Sequence, residues 1–95
     1  MIREIVWSDT ARFDLRRLKA WVERNSFEKA ASEAKRIVEA VEKMKSVPRL
    51  GKRIHSPDAR VTELRELMIR PYVIYYSINE QTISIVRLWH YREYR

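Results

Sequence analysis

The 95-residue chain has no cysteine, one glycine and three prolines. Without cysteine there is neither a disulfide framework nor a thiolate metal site. Two histidines with no carboxylate cluster beside them argue against structural zinc, so no metal and no cofactor are expected. No apolar run approaches the ~20 residues that span a bilayer. The N-terminus also lacks the charged-then-apolar pattern of a secretory signal. The chain therefore reads as soluble and cytoplasmic, with no membrane partner. Breakers are concentrated: Pro48, Gly51 and Pro57 all fall within residues 47–60.

What the chain does contain is core-forming material. Hydrophobic residues make up 45% and aromatic residues 11%, which excludes a disordered segment. The length allows one domain, residues 1–95, with a single modest core. Twenty Lys and Arg against thirteen Asp and Glu leave a net charge of +7. A small domain of that charge favours polyanionic partners: RNA, DNA or an acidic protein segment.

Residues 62–95 organise the rest. Within them, residues 71–78 are apolar on both faces, with Tyr72, Ile74, Tyr76 and Ile78 on one and Val73 and Tyr75 on the other. Such a strand belongs at the centre of a sheet and is expected to be covered on both sides. Residues 82–88 alternate less cleanly, with Ile83 and Ile85 facing one way and Val86 and Leu88 the other. Asn79-Glu80-Gln81 joins the two segments as a hairpin loop. A run carrying Arg65 and Glu66 precedes them as a further strand.

Upstream, residues 2–7 alternate as a short strand. Ser8 is the predicted N-cap of a helix over 9–24, with Asp9 in its first turn. Ala11, Leu15, Leu18 and Val22 share one face of that helix, while Arg12, Arg16, Lys19 and Glu23 lie mainly on another. Asn25-Ser26 breaks the chain, and Ser26 caps a second helix over 27–46 with Ala30, Ala34, Ile37, Val41 and Met44 at helical spacing. So short a break predicts an antiparallel helical hairpin whose apolar face packs on the sheet. Residues 47–60 read as the main irregular segment. Its Lys52, Arg53, His55 and Arg60 make it a solvated connector or, on a second reading, a phosphate-contacting loop. The expected fold class is α+β, in the order β-α-α-β-β-β, with the hairpin on a small, largely antiparallel sheet.

Several short patterns occur in one order. A strand and helical hairpin lead into Pro48-Arg49-Leu50-Gly51, followed by Arg65-Glu66-Leu67. Pro71 to Tyr76 then reads Pro-Tyr-Val-Ile-Tyr-Tyr, and Ile83 to His90 reads Ile-Ser-Ile-Val-Arg-Leu-Trp-His, with Arg92 close behind. In order, spacing and length the chain resembles the RelE/ParE superfamily of toxins from toxin–antitoxin modules, often called plasmid stabilisation proteins. The resemblance covers essentially the whole chain and implies a toxin held inactive by a cognate antitoxin protein. RelE-like members enter the ribosomal A site and cut mRNA; ParE-like members poison DNA gyrase and are not known as nucleases. In RelE-like members an arginine sits early in the penultimate strand, where this chain has Tyr72. A tyrosine lacks the fixed charge and paired donors of a guanidinium. The resemblance is therefore read toward the ParE-like branch, a gyrase inhibitor without catalysis of its own.

Two alternatives stand beside that reading: a ribosome-dependent mRNA endonuclease and a non-toxic basic binding module. A nuclease needs a base for the ribose 2′-hydroxyl, cations for the phosphate and an acid for the leaving oxygen. The candidates are Arg65, Arg87, His90 and Tyr91, histidine being the natural acid and base near neutral pH. For target binding the tail offers Trp89, His90, Arg92 and Tyr94. Arg65 and Glu66 also read as partners in pairing across the sheet, Trp89 as a residue closing the end of the core, and Trp21 as a packing residue. On the first helix Arg12, Arg16 and Lys19, with Arg17, form a basic flank for the carboxylates of an amphipathic antitoxin tail.

Overall fold

The doubly apolar segment is the middle strand of the sheet. The computed structural model describes residues 3–24, 26–61 and 63–94, without the side chains of Phe27, Glu93 and Tyr94. Ile2 of the expected first strand and Asn25 of the expected break lie outside the described residues. Five strands, β1 (Glu4–Trp7), β2 (Lys52–Ile54), β3 (Leu64–Ile69), β4 (Tyr72–Ile78) and β5 (Thr82–His90), form one sheet in the order β1-β5-β4-β3-β2. The pairs β2–β3, β3–β4 and β4–β5 are antiparallel, and β1 runs parallel to β5. The helices α1 (Asp9–Glu23) and α2 (Phe27–Lys43) pack together on one face, and a 3₁₀ turn, Tyr91–Tyr94, follows β5.

Both predicted caps form. The Ser8 hydroxyl accepts from the Ala11 N–H at 3.0 Å, and that of Ser26 accepts from the Lys29 N–H at 3.2 Å. Helix α2 ends at Lys43 rather than at residue 46. Past it the Met44, Lys45 and Ser46 N–H groups bond to carbonyls three residues back, tightening the chain before Pro48. The segment 47–60 is not wholly irregular, because β2 lies inside it and pairs with β3. Three residues carrying two cations have no readable period, and charge is usual on so short an edge strand.

The alternation expected for β5 fails for a specific reason. Tyr75 pairs with Arg87 but Tyr76 pairs with Ile85, so Val86 is an extra residue, a bulge in the ladder. The bulge re-phases the strand, and Ile83, Ile85, Leu88 and His90 are all buried on the helix side. There they join Tyr72, Ile74, Tyr76 and Ile78 of β4 against Ala11, Leu18, Ile37 and Val41 of the hairpin, although His90 sits at the edge of this core. The opposite face departs from the expected double cover. It presents Met68, Val73, Tyr75 and Trp89, and Val73 is buried by its strand neighbours Met68 and Trp89. Trp89 stands edge-on to Tyr75 at 4.6 Å on that face rather than closing the core.

Tyr76 ties the loop before β2 to the sheet. Its ring is fully buried, and its hydroxyl accepts from the Gly51 N–H and donates to the Pro48 carbonyl, each at 2.8 Å. Burial pushes its phenol above the ordinary value, as it does for Tyr72. The Gly51 carbonyl accepts from Arg65 Nη1 at 2.7 Å, and Arg65 Nε donates to Glu63 at 2.7 Å. The other Glu63 oxygen accepts from Arg49 at 3.0 Å. The Arg65 hydrogen bond is the main reason that the Glu63 carboxyl lies below its usual range. At Gly51 a Cβ would lie 2.6 Å from the Glu66 carbonyl oxygen, so the only glycine is demanded by a close approach of two backbones.

Gly51→Ala must push the loop off β3. We expect a loss of about 1–3 kcal/mol, the usual cost of overpacking, read as a lower urea midpoint at unchanged slope. An unchanged midpoint would show that the loop moves freely.

Candidate functional site

On its outer side β5 has a strand neighbour only along the length of β1, which ends at the Trp7–Ile85 pair. Beyond that point α1 supplies the partners. The Ser8 N–H donates to the Ile85 carbonyl at 3.0 Å and the Ser8 hydroxyl to the Val86 carbonyl at 3.1 Å. Asp14 then accepts from the Leu88 N–H at 3.0 Å and from Arg87 Nε at 2.9 Å through the same oxygen. Its second oxygen takes Arg87 Nη2 at 3.4 Å and Arg17 Nη2 at 3.5 Å. Asp14 is 2% exposed, a buried carboxylate tolerated because cations and a backbone donor surround it. Sequence reading missed it. The signal was its place on the apolar stripe, three residues after Ala11 and four before Leu18.

Held in this way, α1 runs on to Trp21 and meets His90, the last residue of β5. His90 is 8% exposed. Trp21 and Tyr72 stand edge-on to its ring at 5.3 and 5.6 Å, and Tyr91 stacks on it at 5.6 Å with a 15° interplanar angle. Its Nδ1 accepts from the Arg92 N–H at 3.2 Å, a bond available only to an unprotonated nitrogen. The Tyr91 N–H donates to the Pro71 carbonyl at 2.8 Å, fastening the 3₁₀ turn to the β3–β4 turn, where the Arg70–Pro71 bond is cis.

Two depressions open on either side of this ridge. One, about 760 Å³, is lined by Met68, Arg70, Pro71, His90, Tyr91 and Arg92. The other, about 400 Å³, is lined by Arg17, Trp21, Arg24, His90 and Arg92. His90, Tyr91 and Arg92 are thus brought together as expected. Arg17, Trp21, Arg24 and Arg70 join them, which the sequence reading did not anticipate. Trp21 packs edge-on against His90 and is 43% exposed.

The other candidates lie elsewhere. Arg65 is engaged with Gly51 and Glu63, and Arg87 with Asp14 and the ring of Trp89, 5.6 Å from its centroid. The four candidates for a nuclease site therefore do not converge. The Tyr94 side chain lies outside the described residues. Arg12, Arg16 and Lys19 are exposed, and Lys19 borders the groove between α1 and α2. Arg17, grouped with them from sequence, points to the His90 side instead. Among the described residues no three His, Asp or Glu side chains group to hold a metal, and no helix is long and apolar enough to cross a membrane.

Asp14→Ala leaves the Leu88 N–H without its acceptor and Arg87 without its carboxylate. Arg87 is 47% exposed, so the ion pair itself contributes little, and the buried N–H dominates. We expect a loss of about 2 kcal/mol by urea denaturation, with faster exchange of the Leu88 amide. Asp14→Asn, which can keep the backbone bond, should recover part of it. Equal losses for the two variants would contradict this account.

Residues 5–94 match the family model described as ParE toxin of type II toxin-antitoxin system, parDE. No curated protein matches the chain. Among solved structures, it is similar to a chain of a chromosomal ParDE TA system from P. aeruginosa, with a TM-score of 0.73 and 24% sequence identity. That alignment covers 94% of this chain and 96% of the other, and it supports the fold of two helices on a five-stranded mixed sheet. The family match runs from β1 through the 3₁₀ turn and so includes every element that builds the ridge at His90. The chain belongs to the ParE toxin family of type II toxin–antitoxin systems.

Proposed function

We propose that the protein is a ParE-like toxin that inhibits DNA gyrase by binding rather than by cutting RNA. On this reading it acts in the cytoplasm and is neutralised by a cognate antitoxin. The observation that carries the reading is the placement of Tyr72. At the position where RelE-like members carry an arginine, this chain has a ring that is 2% exposed and faces the hairpin. That strand position supplies no fixed cation beside His90. The histidine itself is enclosed by three rings, and its Nδ1 is engaged by the Arg92 amide. A general base for RNA cleavage needs a ring nitrogen within reach of the 2′-hydroxyl, whereas the arginines that line the depressions beside this ring, Arg24, Arg70 and Arg92, supply charge but no base. Arg65 and Arg87 are held by other groups.

The test is to induce the protein alone in cells. Growth arrest with gyrase-dependent DNA breaks is expected, and codon-positioned mRNA cleavage on ribosomes would overturn the proposal. His90→Ala should reduce toxicity only partly, in step with a lowered melting temperature as the ring cluster loosens. Ribosome-dependent mRNA cleavage by the unmutated protein that His90→Ala abolishes at unchanged melting temperature would instead make His90 a catalytic residue.

The antitoxin surface follows from charge. Arg12, Arg16 and Lys19 are exposed on α1, and an acidic, amphipathic antitoxin segment that folds on binding suits them. Exposed charges of this kind act chiefly on encounter. Reversing Arg12 and Arg16 to Glu should slow association roughly tenfold or more at low salt, with dissociation little changed in stopped-flow measurements. Unchanged association and dissociation rates would place the antitoxin elsewhere.

A further inference from the structure

We infer that the ridge at His90–Arg92 binds single-stranded nucleic acid, with phosphates on Arg24, Arg70 and Arg92 and unpaired bases on the rings of Trp21 and Tyr91. The first observation is how the arginines divide. Arg36, Arg49, Arg60, Arg65 and Arg87 each hold a carboxylate within 3.1 Å. Arg12, Arg16, Arg24, Arg70 and Arg92 are all exposed, and among the described residues none of their guanidinium groups is in an ion pair; of these, Arg24, Arg70 and Arg92 lie at one end of the sheet. These three come from α1, the β3–β4 turn and the 3₁₀ turn, yet all of them line the two depressions that meet at this ridge.

The second observation is the rings. Trp21 is 43% and Tyr91 51% exposed, one in each depression, with Arg92 bordering both. Each depression therefore pairs one exposed ring with a cation of its own, Tyr91 with Arg70 and Trp21 with Arg24, and Arg92 is shared by both. That is the arrangement needed by a chain of phosphates with a flat base hung from each sugar. An acidic amphipathic helix would need several aliphatic anchors, and the depressions offer only Met68 and Pro71. A duplex keeps its bases stacked on one another and presents no ring face along its length, so the exposed rings favour a single strand. This contact is additional to a protein target, and it holds or fails whether or not gyrase is inhibited.

The test uses the full chain and fluorescently labelled oligothymidylate and oligouridylate of about 12 nucleotides, within the range of known single-strand sites. Saturable binding of at least one strand is expected, and the two arms identify the sugar preferred. Three phosphate contacts predict a slope of log K against log salt near about −2, at roughly −0.7 per contact. Arg24→Ala, Arg70→Ala and Arg92→Ala should each flatten that slope by about 0.7, the Gln variant replacing any that melts early. Tyr91→Ala should weaken binding about tenfold with the slope unchanged. Lys45, beside Arg3 at the other end of the sheet, is the control for bulk charge. The inference is overturned if Lys45→Ala flattens the slope as much as the three arginine variants, if Tyr91→Ala is neutral, or if a duplex of equal length or polyglutamate binds more tightly.

Discussion

The carboxylate of Asp14 is the interaction on which the rest of the architecture turns. β5 must satisfy backbone groups on two sides, but β1 covers its outer side for only four residues. An exposed remainder would be an unpaired edge. Ser8 and Asp14 take over that edge, one with a hydroxyl and a backbone amide, the other with a carboxylate. Helix α1 is thereby fixed along β5 as well as packed on it. Two helical turns beyond Asp14, roughly 10 Å along the axis, the same helix delivers Trp21 to His90. The depression between α1 and the 3₁₀ turn is thus a consequence of where a buried acid holds a helix.

The bulge at Val86 is the second constraint, and the two act on the same short stretch. With strict alternation from Ile85 onward, Arg87 and Trp89 would point into the core, with Leu88 and His90 on the open face. One extra residue reverses this. Leu88 completes the apolar layer, His90 closes its end, and Arg87 emerges where it reaches both Asp14 and Trp89. The freed backbone groups at the irregularity, the Val86 carbonyl and the Leu88 amide, are those taken by Ser8 and Asp14. Bulge and helix anchor therefore satisfy each other's loose ends, so this stretch of β5 keeps its outer backbone groups bonded without a neighbouring strand.

Legibility in the sequence followed the range of the interactions. Ser8 and Ser26 were readable as caps because a cap is decided within three residues. The central place of β4 was readable from its own two apolar faces. The burial of Tyr72 on the helix side agreed with its alternation, and the order of short motifs pointed to the superfamily that the family match then showed. The bulge was hidden because nothing local encodes it: no glycine stands at residues 85–87. β2 was too short to have a period, and the open second face of the sheet depends on which layer is missing elsewhere. The site was half legible. His90, Tyr91 and Arg92 are neighbours in sequence, but Arg24 and Arg70 reach them only through the packing of α1 and the turn at Pro71.

Charge distribution joins these observations. A net charge of +7 says nothing about place, and on this chain place is decided by which carboxylates the fold has already used. Glu63 serves Arg49 and Arg65 to secure the loop at Gly51, and Asp14 serves Arg87 and Arg17 to secure β5. Structural demand thus neutralises arginines along the strands and loops. Arg12 and Arg16 on α1 are left without a described acidic partner, as are Arg24, Arg70 and Arg92 at the end of the sheet where Trp21 and Tyr91 are exposed. Removing a cation from that end should cost the fold little, since no described contact depends on it. Removing Arg65, which bonds both Glu63 and the Gly51 carbonyl, should cost the fold first and any binding only second. The same residue type therefore has two separable roles here, distinguished by the acid beside it.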